Sequence, residues 1–148
     1  MRLVTFTHGG APRTGALADD AHVVDLNRAD HAIPADMIGL LAGGDGMIKR
    51  AGSAAASATR IPLSDVTLLA PVPRPPKVLA IGLNYRDHAE ESGQPIPKHP
   101  VVFAKMPTCI TGPGMPVHRP TVSGALDWEG ELCVVIGAGG RHVAAAEA

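Results

Sequence analysis

Aromatic residues, cysteines and excess charge are all scarce in this sequence. Phe, Trp and Tyr make up 3% of the 148 residues, and the formal net charge is −1. A nucleic-acid-binding surface needs a basic patch, often with stacking aromatic side chains, so no nucleic-acid partner is expected. No apolar run reaches the roughly 20 residues of a membrane-spanning helix, and the N-terminus has no apolar leader segment. The sequence therefore predicts a globular cytoplasmic protein without a membrane partner.

The two cysteines, Cys109 and Cys133, stand far apart. Neither has another Cys or a His at the close spacing of a zinc site, and two cysteines cannot form a disulfide framework. We interpret both as reduced thiols of a cytosolic protein. Zinc is therefore not the expected metal.

Glycine and proline are abundant by contrast, with 17 and 14 residues respectively. They follow no short repeat, so they are interpreted as turns between many short elements. Four prolines between Pro71 and Pro76 force an extended backbone. We therefore expect a small N-terminal α/β domain over residues 1–68 and a second domain over residues 69–148.

The hydrophobic pattern predicts an α+β fold that is mainly β. Short strands are predicted over residues 1–7, 14–18, 22–26, 66–70, 77–81, 101–105 and 127–136, and 77–81 is apolar enough to be buried on both faces. Helices are predicted over residues 37–41, 49–60 and 87–93, the last with Asp87 as its N-cap. Another helix pattern begins at Val143 and stops after little more than one turn. Domains rarely end while a helix is still nucleating, so the sequence predicts a chain truncated at its C-terminus.

The strand predicted over residues 127–136 carries the main candidate site. Asp127, Glu129 and Glu131 alternate with residues of an apolar face. Carboxylates spaced roughly 6.5–7 Å apart along a strand can lean together onto one hard cation. Oxygen ligands alone favour Mg²⁺, Mn²⁺ or Ca²⁺ over zinc. The alternative is a solvated acidic face on an amphipathic strand.

A second candidate site lies in the short helix predicted over residues 87–93. His88 and Glu91 are three residues apart, so they share one helix face, where a carboxylate can orient an imidazole that acts as a base. The alternative is an ordinary surface helix. Lys105 shares a strand face with Phe103 and could bind a substrate carboxylate, although a solvated lysine is the simpler interpretation. The glycines near position 140 lack the third glycine of a dinucleotide fingerprint, because position 142 is His142.

Several sequence blocks, taken in order, resemble the fumarylacetoacetate hydrolase family. The blocks are Ile81-Gly82-Leu83-Asn84-Tyr85-Arg86-Asp87-His88-Ala89-Glu90-Glu91, Phe103-Ala104-Lys105-Met106-Pro107, Gly112-Pro113-Gly114-Met115-Pro116-Val117 and Leu126-Asp127-Trp128-Glu129-Gly130-Glu131-Leu132. The resemblance runs from about Leu69 to the end of the chain. The first 68 residues look like the variable N-terminal domain of bacterial two-domain members.

The resemblance implies a mixed β-roll catalytic domain, incomplete here, and a homodimer in the full-length form. It implies Mg²⁺ or Mn²⁺ held by Glu129 and Glu131, with His88 and Glu91 as the catalytic pair. The family's third metal carboxylate, an Asp, comes from a later segment, and the only acidic residue after Glu131 is Glu147. The chain is therefore expected to be a fragment or a truncated paralogue.

The family's substrates are small 2-oxo and 2,4-dioxo acids, including intermediates of aromatic catabolism. The resemblance implies a divalent-metal-dependent hydrolase of C–C bonds in acylpyruvate-like 2,4-dioxo acids. Alternatives are an isomerase or decarboxylase of 2-oxo or 2-hydroxy-dienoic diacids, or a catalytically incomplete fragment.

Overall fold

The computed structural model describes all 148 residues, which divide into two compact units. The first unit contains residues 1–72 and 111–148, and the second contains residues 73–110. The domain boundary predicted between residues 68 and 69 stays a prediction. No helix is both long and apolar enough to cross a bilayer.

A five-stranded antiparallel sheet organises the first unit. Its strands are β1 (Arg2–Thr7), β2 (Arg13–Leu17), β3 (His22–Asp25), β4 (Arg60–Pro62) and β5 (Thr67–Leu69). The strand order is β4-β3-β2-β1-β5, so the first strand in sequence lies between β2 and β5, the last strand of this sheet. These positions confirm four of the predicted strands, and β4 is an addition, because its residues begin where the second helix was expected to end.

Three helices pack with this sheet to form the core. They are α1 (Leu26–Ala29), α2 (Met37–Ala42) and α3 (Gly44–Ser57). Gly44 has a φ of 60°, a left-handed conformation that separates α2 from α3. However, α3 begins at Gly44 rather than at the predicted Lys49. Buried residues are consecutive rather than alternating on the strands, as with Val23 and Val24 of β3. The main core residues are Phe6, Ala16, Val23, Val24, Leu26, Ile33, Leu40 and Ala51.

Polar contacts fasten the loop after α1 to the sheet. Asp25 is nearly buried and accepts hydrogen bonds from the Arg13 guanidinium and from the backbone N–H of Arg28. Arg13 Nη2 also donates to Asn27 Oδ1 at 3.0 Å, and Asn27 Nδ2 donates to the Ile33 carbonyl at 2.6 Å. No buried side-chain polar atom of the chain lacks a hydrogen-bond partner, so this core has no unpaired polar group that would destabilise it.

Two surface aspartates of the first unit are held ionised by their neighbours. The Arg50 guanidinium, followed by the backbone N–H of Ala32, lowers the pKa of Asp30 below its ordinary 3.8. The backbone N–H of Ala21 lowers the pKa of Asp19, with His22 as the next cause. Both carboxylates therefore stay ionised near neutral pH and interact with neighbouring cations. Neither is a candidate for proton transfer at that pH.

The second unit contains a two-stranded antiparallel sheet and one short helix. Strands β6 (Val78–Gly82) and β7 (Val101–Lys105) pair, and α4 (Arg86–Glu91) follows β6. Both strands were predicted, but β6 is not buried on both faces, since Leu79 is 63% exposed. The residues of β7 are all exposed, those of β6 are half-buried or exposed, and Ala89 is the one buried hydrophobic residue of this unit.

Residues 111–148 contain no strand, which corrects the prediction for residues 127–136. The alternating pattern is present, but no other strand pairs with this segment, and a strand forms only when its backbone groups find a partner. Trp128 is 85% exposed and Ile136 is 74% exposed. The helix expected from Val143 is reduced to a 3₁₀ turn at Ala145–Glu147.

The structure confirms the predicted α+β class. The sheets are open, and β6 and β7 do not close into a roll, as expected for an incomplete roll. Residues 69–148, which contain the motifs of the family resemblance, have fewer buried residues than the first 68.

Candidate functional site

Helix α4 carries both members of the predicted acid–base pair. Ala89 is the one fully buried residue of the helix, whereas His88 and Glu91 are exposed. The carbonyl of His88 accepts from the backbone N–H of Ser92 at 3.0 Å and from the Ser92 hydroxyl, which closes the helix. The His88 ring and the Glu91 carboxylate form no hydrogen bond or ion pair. The helix therefore supplies the predicted spacing, and the orienting contact is not made in this state.

The expected N-cap of α4 is wrong by two residues. The cap position is Tyr85, which makes no side-chain capping bond. Asp87 lies inside the first turn, where its Oδ1 accepts from the backbone N–H of His88 at 3.0 Å. Its carboxylate thus still satisfies a free N–H of the helix start, which is the physical task of a cap.

Lys105 ends β7 and shares a face with Phe103, as predicted. Its Nζ lies 5.1 Å from the centre of the Phe103 ring, within cation–π distance. The ammonium group forms no ion pair with a carboxylate of the chain. Lys105 is therefore exposed and available to an anionic ligand.

The turn between β6 and α4 has a strained backbone. Leu83 has a φ of 51°, a left-handed conformation that is uncommon for a residue with a branched side chain. Such residues cluster where a structure must aim neighbouring groups for function. Leu83 opens the segment Leu83-Asn84-Tyr85, which leads into the helix of His88.

The predicted metal ligands are not gathered into a metal site. Glu129 and Glu131 are exposed and lie in a segment without regular structure, and no three His, Cys, Asp or Glu side chains of the chain form a possible metal cluster. Their two carboxylates suit a hard divalent cation by chemistry. Two carboxylates on an unpaired segment do not fix a coordination sphere, so the ligand set in this structure is incomplete.

The structure divides the predicted site residues between its two units. His88, Glu91 and Lys105 belong to the second unit, and Glu129 and Glu131 belong to the first. The sequence interpretation missed a basic cleft in the second unit, to which Arg86 and Lys98 contribute. In the sequence, the cleft is indicated only by basic residues on both sides of the Gly93–Pro97 segment. This pattern is too common to identify a binding site.

Two family models match the chain. Residues 77–148 match the C-terminal domain of fumarylacetoacetate (FAA) hydrolase, and residues 1–71 match the Rv2993c-like N-terminal domain.

Curated relatives match almost the whole chain but only part of their own length. The mitochondrial oxaloacetate tautomerase Fahd2a of Rattus norvegicus is 42% identical over 99% of this chain and 48% of that protein. Oxaloacetate tautomerase YisK of Bacillus subtilis is 39% identical over 90% of this chain and 51% of that protein. The chain therefore spans about half the length of the curated relatives it matches.

Solved structures agree with this placement. A protein described as HpcE from Mycobacterium smegmatis has a TM-score of 0.65 and 35% identity, over 82% of this chain and 41% of that one. Maleylpyruvate hydrolase from Sphingobium sp. SYK-6, solved with manganese(II) and pyruvate, has a TM-score of 0.62 and 30% identity, over 82% of this chain and 43% of that one.

Proposed function

This chain belongs to the fumarylacetoacetate hydrolase family, and we propose that it contributes to metal-dependent proton transfer on a small 2-oxo acid. The observation that carries the proposal is the 42% identity, over 99% of the chain, with an oxaloacetate tautomerase. We propose keto–enol tautomerisation of a 2-oxo diacid as the reaction. This reaction needs one group that moves a proton and a means of stabilising an enolate.

We propose His88 as the group that moves the proton. In the keto-to-enol direction, the neutral imidazole takes a proton from the carbon next to the 2-oxo group and returns a proton to the carbonyl oxygen, so no atom is gained or lost. Glu91, one helical turn away, orients the ring and stabilises its protonated form. Lys105 binds a carboxylate of the substrate, for which its unpaired ammonium is suited.

Glu129 and Glu131 are proposed to hold a Mg²⁺ or Mn²⁺ ion. The donor chemistry supports this assignment, and so does the manganese(II) ion in the Sphingobium structure. A bound divalent cation would supply electrostatic stabilisation of the negative charge that develops on the 2-oxo group. Further ligands are needed, because the structure brings no third candidate ligand to these two residues.

Hydrolysis of a C–C bond in a 2,4-dioxo acid is the second candidate, and the likeness to a maleylpyruvate hydrolase favours it. In that reaction His88 takes a proton from water, and the hydroxide adds to the distal carbonyl carbon. The C–C bond then breaks, its electron pair leaves with the 2-oxo acid fragment as an enolate, and this fragment regains a proton. Both reactions use His88 as a proton carrier, so the same variants test both.

The activity test uses the 148-residue chain with Mn²⁺ and the enol form of oxaloacetate. We expect faster ketonisation than without protein, and we expect His88→Ala to slow it by roughly 10²–10⁴-fold. His8→Ala, an exposed histidine outside the site, should match the wild type. Equal rates for wild type and His88→Ala would contradict the role of His88. No acceleration by the wild type would contradict this activity for the chain and favour a catalytically incomplete form.

The metal test is a thermal melt with and without Mn²⁺. A ligand that binds only the folded state raises the melting temperature. We expect a shift that Glu129→Gln and Glu131→Gln each abolish, whereas Glu90→Gln, another exposed glutamate, should retain it. If the melting-temperature shift persists in both of these variants, the metal binds at another site.

A homodimer of a longer form and a cytoplasmic location remain proposals. They can be tested by sedimentation and by fractionation of cells.

A further inference from the structure

A solvent-open cleft of about 350 Å³ lies in the second unit, between the β6–α4 turn and the proline-rich segment before β7. Its polar lining comes from Asn84, Arg86, Lys98 and His99, and Ile81 and Ile96 contribute apolar surface. We propose that this cleft binds a carboxylate of a small organic acid, with Arg86 and Lys98 as the main anchors.

The charge of the lining supports an anionic ligand. Arg86 and Lys98 are both cationic, and no Asp or Glu lines the cleft, although α4 carries three acidic residues close by in sequence. Neither cation forms an ion pair within the chain, whereas Arg13 and Arg50 each hold an aspartate. Two unpaired cations that line one concave surface repel each other until an anion is present, and an anion that lies between them removes this repulsion.

The chemistry of the donors favours a carboxylate. A guanidinium presents parallel N–H donors that match the two oxygens of a carboxylate, an ammonium adds a point charge, and the Asn84 amide adds two donors. The apolar surface of Ile81 and Ile96 suits the short carbon chain of an organic acid better than a fully polar anion. The volume is at the lower end of ligand pockets, which also points to a small molecule.

The backbone around the cleft is constrained. Leu83 lines the cleft with its φ of 51°, and Pro97 and Pro100 restrict the opposite wall. The left-handed residue comes just before Asn84 and Arg86 in sequence. The strained backbone therefore lies where the directions of these two side chains are set. The walls therefore lose little conformational freedom when a ligand binds.

The inference deepens the proposed function and rests on it in one respect. If the substrate is a diacid, the cleft holds one carboxylate and thereby selects diacids over monoacids. Binding of the carboxylate itself requires neither metal nor turnover, so it can be measured separately.

The experiment is a metal-free NMR titration of the ¹⁵N-labelled 148-residue chain with malonate, acetate and inorganic phosphate. We expect saturating amide shifts with malonate at residues 82–86 and at residues 96, 98 and 99, weaker binding of acetate and phosphate, and affinity that falls as NaCl is added. Arg86→Gln and Lys98→Gln should each weaken malonate binding by about three- to tenfold, since each removes a charge-assisted contact. Lys77→Gln removes a charge at the other end of β6, outside the cleft, and should bind malonate like the wild type.

Linear shifts that spread over the chain, unchanged affinity in the Arg86→Gln/Lys98→Gln double variant, or an equal loss in Lys77→Gln would each overturn the proposal. Tighter binding of phosphate than of malonate would overturn the carboxylate assignment. Amide positions outside the cleft establish that each variant is folded. A failed metal or His88 test leaves malonate binding intact, and loss of malonate binding leaves those tests intact, so the two proposals fail separately.

Discussion

At the scale of single residues, Arg13 links the sheet to the loop that carries α1. Its guanidinium holds the nearly buried Asp25 carboxylate and Asn27, and Asn27 in turn holds the Ile33 carbonyl. Arg13→Ala leaves a partly buried carboxylate without its cation, which we expect to lower the free energy of unfolding by about 1–3 kcal/mol. Urea titration measures this change.

Arg2→Ala is the matched control for that prediction. Arg2 pairs with Asp20, and the two side chains are 61% and 93% exposed, so the pair contributes less than about 1 kcal/mol. Equal losses in the two variants would contradict the role assigned to the buried network.

The positions of single residues within their helix or strand were predictable where local spacing determines them. The pair His88 and Glu91 lies on one short helix, as an i, i+3 spacing requires, and Lys105 shares a face with Phe103, as a strand requires. The absence of a hydrogen bond between His88 and Glu91 could not be predicted, because exposed side chains adopt rotamers that spacing does not restrict. The cap at Asp87 was wrong because the helix begins at Arg86, which makes Tyr85 the cap position, two residues earlier.

At the scale of elements, the tight packing of β2 depends on one glycine. A Cβ at Gly15 would lie 2.7 Å from Phe6 Cε1 and 2.7 Å from the Val24 carbonyl oxygen. The carbonyl belongs to the neighbouring strand β3 and cannot move without disturbing the sheet. We expect Gly15→Ala to lower the free energy of unfolding by about 1–3 kcal/mol, as measured by urea or thermal melts.

Gly10→Ala is the control for β2, because nothing lies within 4 Å of a Cβ at that position. Its effect should be within about 0.5 kcal/mol of zero. A Gly15→Ala variant with the same free energy of unfolding as the wild type would contradict the close spacing of β2 and β3.

Predicted strands were correct where the chain contains their partners. The segments that became β1, β2, β3 and β5 meet in one sheet, and β6 meets β7. Residues 127–136 have the clearest alternation of all, yet they form no strand. Alternation reports which face of a segment is apolar, whereas strand formation depends on a pairing partner that the pattern does not encode.

At the scale of the whole molecule, burial is concentrated in the first 70 residues. Every fully buried large side chain lies there, and after Ala70 only Ala89 is buried. We expect hydrogen exchange monitored by mass spectrometry to show strong protection of residues 2–7, 13–17 and 22–25. Residues 127–136 should exchange within the shortest labelling time, since regular hydrogen bonding is missing there.

Protection of residues 127–136 in the free chain would contradict this expectation and would indicate that the segment pairs, with another part of the chain or with a second copy. Repeating the measurement at several protein concentrations separates these two causes, because only pairing between copies depends on concentration.

The order of the strands has a consequence for synthesis on the ribosome. Strand β1 is translated first, but one of its two neighbours, β5, is not available until Leu69 has been made. The five-stranded sheet is then complete in sequence, while residues 70–148 take roughly 4–16 s to translate. The N-terminal sheet can thus fold during translation, before the exposed apolar residues between Leu126 and Ile136 leave the ribosome.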